Sequence, residues 1–465
     1  MRNKYSLLLK NIGLFTIGSI GSKIVTFLMV PLYTAILSTK EYGTVDLVSS
    51  TVQLLTPVLL LSIQDATLRF GMDPNYKKED VLSTSLNIIL KGTIVLFLGL
   101  FILQILKIVN LSFSYLVFLF ISFVLGSVNT CFILYLKAKN NASVIAVSGI
   151  LSTLAVCISN VFCLIVFRLG VNGYMFSYLL GLAIQVVYQF IFGKIYKEIR
   201  LKNYNDLSKQ MMAYSSPLIA NSISWWVNNA SDRYILTWVS GVAVNGIYSI
   251  SYKIPTILAV FQGIFYNAWS ISAISEFDEV DNDGFIGNNY IAYSFISFSI
   301  CSFLLLINIP IARIFYTGDF FIAWQCVPFL LVGTVFSGIS QFEGALFAAK
   351  KKTKDVSFTT IIGATVNTIC NLIFINLWGA IGAAISTMFG YFVIWVIRTL
   401  LIRGFVKMKV QWNIHIASLI FLIIQAFLAT FNIFFIAQIL LFLLIIFLHR
   451  RYFVHVLKNL RIVGK

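Results

Sequence analysis

Charged residues are scarce in this sequence: Asp, Glu, Lys and Arg make up 11% of its 465 residues, whereas hydrophobic residues make up 59%. No water-soluble domain of this length has such a composition, so we predict an all-α protein that crosses a membrane many times. A net charge of +17 would point to nucleic acid in a soluble protein. Here the basic residues cluster in loops between apolar segments, so we expect membrane lipids and no nucleic acid as partners.

Histidine and cysteine are too few and too scattered for a metal centre. All three histidines lie near the C-terminus, and the six cysteines lie mostly within apolar segments. Neither set has the spacing of metal ligands or of a disulfide framework. We therefore expect no metal site and no cofactor.

Long polar loops are missing as well. The apolar segments predict fourteen transmembrane helices, and no connection between them is long enough for a separate soluble domain. The predicted spans are residues 12–37, 44–70, 82–106, 113–136, 143–167, 173–195, 213–239, 244–273, 286–308, 320–348, 355–376, 380–402, 413–430 and 433–449.

The basic residues of the loops predict which side of the membrane each loop occupies. With a cytoplasmic N-terminus, the inner segments carry 24 Lys and Arg residues and the outer segments carry 4. Short loops rich in Lys and Arg stay in the cytoplasm. The sequence therefore predicts that both termini are cytoplasmic and that the number of spans is even.

The chain contains an internal repeat. Four residues around the start of the sixth span recur 209 residues later around the start of the twelfth: Gly170, Gly173, Ser177 and Gly181 match Gly379, Gly382, Ser386 and Gly390. We therefore predict two pseudo-symmetric six-helix bundles with the same orientation in the membrane, followed by a terminal helix pair. The predicted boundaries are residues 1–203 and 204–403 for the two bundles and 404–465 for the terminal pair with its basic tail.

The first two predicted spans contain charged residues. A charge at the centre of a bilayer costs at least ~2.5–3.5 kcal/mol, so it usually faces water, a partner or a substrate. Lys23 lies in the first span on a stripe of Ser and Thr residues that extends to Thr34, and the second span carries Asp46, Asp65 and Arg69. These residues are candidates for lining a wet groove, although small polar residues also pack membrane helices against one another.

Charged residues also occur in later spans. Asp232 and Lys253 lie about ten residues on either side of the turn between the seventh and eighth spans, so at ~1.5 Å per residue their depths are similar. We expect them to face each other or a shared cavity, and a purely structural salt bridge is equally open. Arg233 lies beside Asp232, and Lys91 lies in the middle of the third span, where it is a further cavity candidate.

Some charged residues lie near predicted helix ends. Asp65 and Arg69 are four residues apart, so they are able to pair on one helix. Because they lie near the inner end of their span, anchoring at the level of the lipid headgroups is an equally open interpretation. Glu343 also lies near an inner helix end, so the same two interpretations stay open for it, and we expect Arg398 to lie at the membrane interface.

Proline is concentrated in a few helices. Four of the seven prolines, Pro31, Pro57, Pro217 and Pro255, fall in the first two helices of each half. Proline removes a helical hydrogen bond and permits a bend. We expect these helices to bend and to flex.

Two stretches of the first seventy residues resemble a known family. The first runs from Pro31 to Leu47 and contains Leu-Ser-Thr-Lys-Glu-Tyr-Gly-Thr-Val-Asp-Leu, and the second runs from Pro57 to Phe70 and ends in Asp-Ala-Thr-Leu-Arg-Phe. They resemble oligosaccharide flippases of the Wzx type, which belong to the multidrug/oligosaccharidyl-lipid/polysaccharide exporter superfamily. The resemblance implies a transporter that moves undecaprenyl-pyrophosphate-linked oligosaccharides from the inner to the outer leaflet of a bacterial plasma membrane, for a capsule-like surface polysaccharide.

The resemblance also implies a cationic cavity that holds the pyrophosphate. In the related lipid II flippases, basic residues of the first, second and eighth helices line this cavity. Lys23 and Lys253 match the first and the eighth helix, and Arg69 is a looser match on the second. Lys91 and Arg233 join this predicted substrate-binding set because they lie within spans.

Coupling to a sodium or proton gradient is plausible by the same analogy. Asp46, Asp65 and Asp232 are the candidate acids, and the residues do not identify the ion. The implied partners are the lipid-linked oligosaccharide, membrane lipids and other polysaccharide assembly proteins.

Other functions stay open. A multidrug or cation exporter of the same superfamily would share the fold, but its cavity is expected to be acidic rather than basic. A membrane enzyme of polysaccharide assembly is expected to have a large outer loop, whereas the longest outer connection here spans about residues 309–319. A scaffold without transport activity would not need charges within its spans. We therefore expect a transporter and not an enzyme.

Overall fold

The computed structural model describes residues 27–107, 111–200 and 205–450 of the chain. These residues form α-helices with short connections and contain no β-strand, which confirms the predicted all-α class. The helices are α1 Val30–Ile36, α2 Thr39–Leu59, α3 Ile63–Gly71, α4 Lys78–Ile105, α5 Phe113–Ala138, α6 Ala142–Asn160, α7 Gly170–Phe192, α8 Asn205–Ser215, α9 Leu218–Ser240, α10 Val242–Ser251, α11 Lys253–Ser275, α12 Phe285–Leu306, α13 Asn308–Phe315, α14 Val327–Ala349, α15 Thr353–Ile402, α16 Trp412–Thr430 and α17 Phe435–Leu448.

Many of these helices are long enough to cross a membrane. Among the described residues, nine helices have the length and apolarity of a span, and a tenth results if α2 and α3 count as one bent span. The 50 residues of α15 contain a kink at Gly379, so this helix corresponds to the two predicted spans 355–376 and 380–402. The chain is therefore an integral membrane protein. The predicted span 12–37 lies mostly outside the described residues, so the number fourteen stays a prediction.

The chain divides into two compact units. The N-terminal unit comprises Glu41–Trp226, and the C-terminal unit comprises Val30–Lys40 together with the chain from Val227 onward. The division therefore falls within α2 and within α9. The boundaries that the sequence predicted after residues 203 and 403 stay predictions.

The core of the N-terminal unit forms around α5. Its buried side chains recur every three to five residues and include Phe118, Phe123, Phe132 and Tyr135. These side chains pack against α3, α4 and α7. A helix with one buried face and partly exposed apolar residues elsewhere suits a bundle that contacts lipid on its outer side.

The C-terminal unit is built around α14. In the most apolar 18-residue segment of α14, 78% of the residues are buried, compared with 44% in the corresponding segment of α11 and 61% in that of α12. The indole of Trp269 on α11 stacks on the ring of Phe342 at a centroid distance of 4.1 Å. The same indole donates a hydrogen bond of 3.0 Å to the Phe342 carbonyl. A polar side chain on the packed face of α14, such as Glu343 at 0% exposure, is therefore shielded from solvent.

The second predicted span, residues 44–70, is broken rather than continuous. Helices α2 and α3 meet at an angle of 59°. Leu61 and Ser62 between them have positive φ angles of 52° and 50°, which a continuing helix does not allow. The break follows Pro57, whose missing N–H removes one helical hydrogen bond. The bend that Pro57 predicted is therefore present. Because it divides the span into two helices, the prediction of one continuous helix over residues 44–70 was wrong.

The repeated glycines occupy equivalent places in the two units. Gly170 and Gly379 both open a helix hairpin with a positive φ, 54° and 55° respectively. A Cβ at Gly181 would lie 2.2 Å from a Val156 methyl group, and a Cβ at Gly390 would lie 2.8 Å from the Asn367 Cβ. Both glycines therefore let two helices approach closely. This agreement confirms the predicted pair of related bundles.

Thr34 ends the polar stripe predicted on the first span, and its side chain is buried at 5% exposure. Its hydroxyl donates to the Phe315 carbonyl at 3.0 Å and accepts from the Thr317 hydroxyl at 3.2 Å. All three residues belong to the C-terminal unit. At Thr34 the stripe therefore packs against the protein and does not line a groove.

Candidate functional site

Asp232 is a buried acid in α9, with 1% of its surface exposed. The carboxylate atom Oδ2 accepts hydrogen bonds from Tyr248 Oη at 2.5 Å, Tyr252 Oη at 3.1 Å and Thr387 Oγ1 at 3.2 Å. The other atom, Oδ1, accepts from the backbone N–H of Arg233 at 2.9 Å. Four donors thus replace the water that the carboxylate would have outside the protein.

The fold brings these donors together from distant parts of the chain. Tyr248 and Tyr252 are one helical turn apart near the junction of α10 and α11, and their rings make an edge contact at 5.3 Å. Thr387 lies in the part of α15 that follows the kink at Gly379. Arg233 is partly buried, and its guanidinium lies 5.4 Å from the centre of the Tyr252 ring. The result is a carboxylate surrounded by hydroxyl groups with one cation beside it.

Lys253 does not bind Asp232. All four hydrogen bonds to the carboxylate come from other residues, and no salt bridge joins these two side chains in the described part of the chain. Lys253 is the first residue of α11 and is partly buried. Asp232 and Lys253 therefore do not pair, because the hydroxyls of Tyr248 and Tyr252 take the positions around the acid, and the alternative of a shared cavity stays a prediction.

Lys91 lies in the middle of α4 with its side chain exposed. Neighbours on the same face are apolar and also exposed, with Ile94 at 50% and Val95 at 55%. No salt bridge or side-chain hydrogen bond reaches Lys91 from another residue that the structure describes. A cation at mid-span without a protein partner is a functional-site candidate.

Arg69 and Asp65 lie in α3, just after the break, and both side chains are exposed. No ion pair joins them within the described ranges. Asp46 lies in α2 and is partly buried. Lys23, the candidate on the first span, lies outside the described residues. The structure therefore brings Asp232 and Arg233 together in the C-terminal unit, and it places Asp46, Asp65, Arg69 and Lys91 in the N-terminal unit.

Two buried charged residues were candidates for the membrane surface. Glu343 is 0% exposed and Arg398 is 2% exposed, both in the C-terminal unit. Both side chains are packed inside the protein, so they do not anchor it to lipid headgroups, and their depth in the membrane stays a prediction. The signal in the sequence was the apolar run on both sides of Glu343, which leaves a carboxylate in the most buried helix of the unit.

The described residues hold no group of three or more His, Cys, Asp or Glu side chains that is close enough for a metal ion. Around Asp232 the available ligands are one carboxylate and three hydroxyl oxygens. Such oxygen ligands suit a hard monovalent cation or a proton rather than a transition metal.

Comparison with known proteins gives both a family and a fold. The sequence model of the family described as polysaccharide biosynthesis protein matches residues 8–269, more than half of the chain. Comparison with curated protein sequences finds no match. The lipid II flippase MurJ in an inward closed conformation has a similar structure, with a TM-score of 0.70 and 16% identity over 96% of this chain and 99% of that chain.

Two transporters of the MOP superfamily are also similar. The first is a multidrug resistance MATE family transporter in an outward-facing conformation, with a TM-score of 0.59 and 14% identity over 86% of this chain and 97% of that one. The second is a transporter from Pyrococcus furiosus described by the reverse polarity of its binding pocket, with a TM-score of 0.61 and 13% identity over 85% of this chain and 95% of that one. At such identities the likeness shows the fold, which is the flippase and exporter fold that the sequence predicted.

Proposed function

The chain belongs to the polysaccharide biosynthesis protein family, and from this premise we propose that it moves lipid-linked oligosaccharides across a bacterial plasma membrane. The substrate is an undecaprenyl-pyrophosphate-linked repeat unit, carried from the cytoplasmic to the outer leaflet by alternating access for surface polysaccharide assembly. Both termini lie in the cytoplasm, as the basic inner loops indicate. The transporter fold and the family both agree with the expectation that the chain is not an enzyme.

One observation carries the choice of an anionic substrate. Among the described residues, Lys91 is an exposed cation at mid-span, whereas the acid Asp232 is enclosed by hydrogen bonds. A pyrophosphate diester carries two negative charges, and a basic side chain attracts it far more strongly in a low-dielectric environment than in water. Lys23, Arg69, Arg233 and Lys253 complete the proposed basic set, each acting as a charge contact for phosphate oxygens.

Asp232 is the proposed coupling site. Its carboxylate and the three surrounding hydroxyls suit a sodium ion or a proton. Movement of this ion down its gradient across the plasma membrane would drive transport. Asp46 and Asp65 stay candidates in the N-terminal unit. The cargo and the ion thus use groups of opposite charge.

The test is a deletion strain that produces a surface polysaccharide through this protein. Loss of the gene should lead to accumulation of undecaprenyl-pyrophosphate-linked sugars and to loss of surface polymer, and the wild-type gene should restore both. Lys91→Gln should restore surface polymer less than one tenth as well. Lys107→Gln is the matched control, because Lys107 lies on the same stretch of chain just beyond the end of α4 and is also exposed. Equal complementation by both variants would contradict the role of Lys91.

A multidrug or cation exporter is the second candidate, favoured by the similarity to the multidrug MATE transporter. The same deletion strain separates the two functions. Increased sensitivity to cationic dyes with unchanged lipid-linked sugars would support the exporter and would contradict the flippase.

A further inference from the structure

Glu343 is a buried acid that the proposed function does not use. It lies in α14 with 0% of its surface exposed. One carboxylate oxygen, Oε1, accepts a hydrogen bond of 2.7 Å from Thr399 Oγ1. The other oxygen, Oε2, is buried and has no hydrogen-bond partner among the residues that the structure describes.

The nearby cation does not form a salt bridge with this acid. Arg398 is buried, and no salt bridge joins it to Glu343 within the described residues. The guanidinium is occupied by neutral oxygens instead, namely Ser340 O at 2.7 Å, Thr359 Oγ1 at 3.0 Å and Thr360 Oγ1 at 3.0 Å. Arg398 is thus held as a cation without the carboxylate.

The remaining titratable groups around Glu343 are aromatic or imidazole side chains. Tyr290 of α12 faces Glu343, and Tyr290 Oη lies 3.4 Å from Nε2 of His415 on α16. Tyr266 of α11 faces Arg398, and His449, just beyond α17, faces His415. None of these side chains offers a second charge that would hold an ionised carboxylate in place.

The ionised form of Glu343 is therefore poorly accommodated. A buried carboxylate is stable when it is paired or when several donors bind it, and this one receives a single hydrogen bond. The neutral acid is easier to bury, because it carries no charge that has to be removed from water. The described arrangement thus fits a carboxylic acid and not a carboxylate.

We propose that Glu343 is a proton-binding site, occupied in the described arrangement and emptied when α14 separates from the helix after Gly379. That helix connects the site to Asp232, since Thr387 binds Asp232 and Thr399 binds Glu343. The two threonines are twelve residues apart, or about 18 Å along the helix. Movement of this one helix changes both buried acids together. The binding of a proton by Glu343 does not depend on the proposed transport function, whereas its link to helix movement rests on that function.

Infrared difference spectroscopy of the purified full-length protein at neutral pH tests the bound proton. In the spectrum of wild type minus Glu343→Gln, we expect the band of a protonated carboxyl group. Loss of a carboxylate band instead would overturn the proposal. Asp232→Asn is the matched control, since it removes another buried acid of this unit and should leave the Glu343 band in place.

A second variant keeps the experiment decisive if Glu343→Gln fails to fold. Thr399→Val retains the acid and removes its hydrogen bond, so the C=O band of Glu343 should move to higher wavenumber without loss of intensity. An unmoved band in this variant would overturn the proposed site. Neither measurement needs substrate, so failure of the flippase assignment and failure of the proton site are distinguishable.

Proton release tests the link to movement. Proteoliposomes that contain a pH-sensitive dye report the protons released when the undecaprenyl-pyrophosphate-linked sugar is added. We expect Glu343→Gln to release one proton fewer per molecule than the wild type. Equal release by both proteins would overturn the coupling of this site to transport.

Discussion

Replacing Tyr248 by phenylalanine removes one hydroxyl from the buried carboxylate of Asp232 and leaves the ring in place. The bond that is lost is the shortest of the three hydroxyl contacts, 2.5 Å compared with 3.1 Å for Tyr252 and 3.2 Å for Thr387. A hydrogen bond to a charged group contributes about 1.5–3 kcal/mol. Because Asp232 is 1% exposed, water cannot replace the lost donor. We therefore expect the free energy of unfolding to fall by about 1.5–3 kcal/mol.

The assay is reversible unfolding in mixed detergent micelles, followed by tryptophan fluorescence and circular dichroism. Tyr391→Phe is the matched control, because Tyr391 Oη donates to the neutral amide oxygen of Asn229 at 2.9 Å. A neutral hydrogen bond contributes about 0.5–1.5 kcal/mol. The Tyr248 variant should therefore unfold at a clearly lower denaturant concentration than the control.

A double-mutant cycle decides whether the effect passes through the acid. In an Asp232→Asn background the Tyr248 hydroxyl loses its charged acceptor, so Tyr248→Phe should cost at least about 1 kcal/mol less than in the wild type. An equal cost in both backgrounds, or a cost no larger than that of Tyr391→Phe, would refute this account of the Asp232 site.

Two further predictions concern packing and pH. In Gly382→Ala the new Cβ would lie 1.9 Å from the Phe374 carbonyl oxygen, so thermal unfolding should show a loss of at least about 1–3 kcal/mol, whereas Gly126→Ala, which has open space, should be neutral or stabilising; equal stability of the two variants would contradict the close helix approach. In the loop before α12, backbone N–H groups of Asn282 and Val280 hold the pKa of Asp278 below its usual range. This lowered pKa adds stability that is present above about pH 4 and is lost as the pH falls through the folded value. Asp278→Asn should therefore lose less stability than the wild type on acidification, and an identical pH profile would contradict the effect.

The features that were predictable from the sequence depend on local rules. The repeated glycines were recognisable from their constant spacing in the sequence. The spacing is constant because Gly170 and Gly379 occupy the same point of a helix hairpin, where both adopt a positive φ. Pro57 indicated a bend for a similar reason, since proline always removes one helical hydrogen bond. The sequence did not show that the bend would be completed by Leu61 and Ser62 in the left-handed region, because non-glycine residues rarely adopt it.

The features that were missed depend on contacts between distant residues. Asp232 was a candidate because an acid within a span needs a partner, but Thr387 lies 155 residues away and nothing in the pattern connected the two. Lys253 was the expected partner because of similar depth, and depth alone does not say which side chains meet. Glu343 was considered as a surface anchor by the same reasoning, although α14 packs against α11, α12, α15 and α16 and most of it is buried.

The most direct test of the central claim is a flipping assay in liposomes that contain the purified full-length chain. A fluorescent undecaprenyl-pyrophosphate-linked sugar is placed in both leaflets, and a membrane-impermeant quencher reports the fraction that becomes accessible from outside. The proposed function predicts that the wild-type protein makes more than half of the lipid accessible within minutes and that Lys91→Gln is at least tenfold slower, with Lys107→Gln unchanged. Accessibility no faster than in empty liposomes, under imposed sodium and proton gradients, would contradict the claim that this protein is a lipid-linked oligosaccharide flippase.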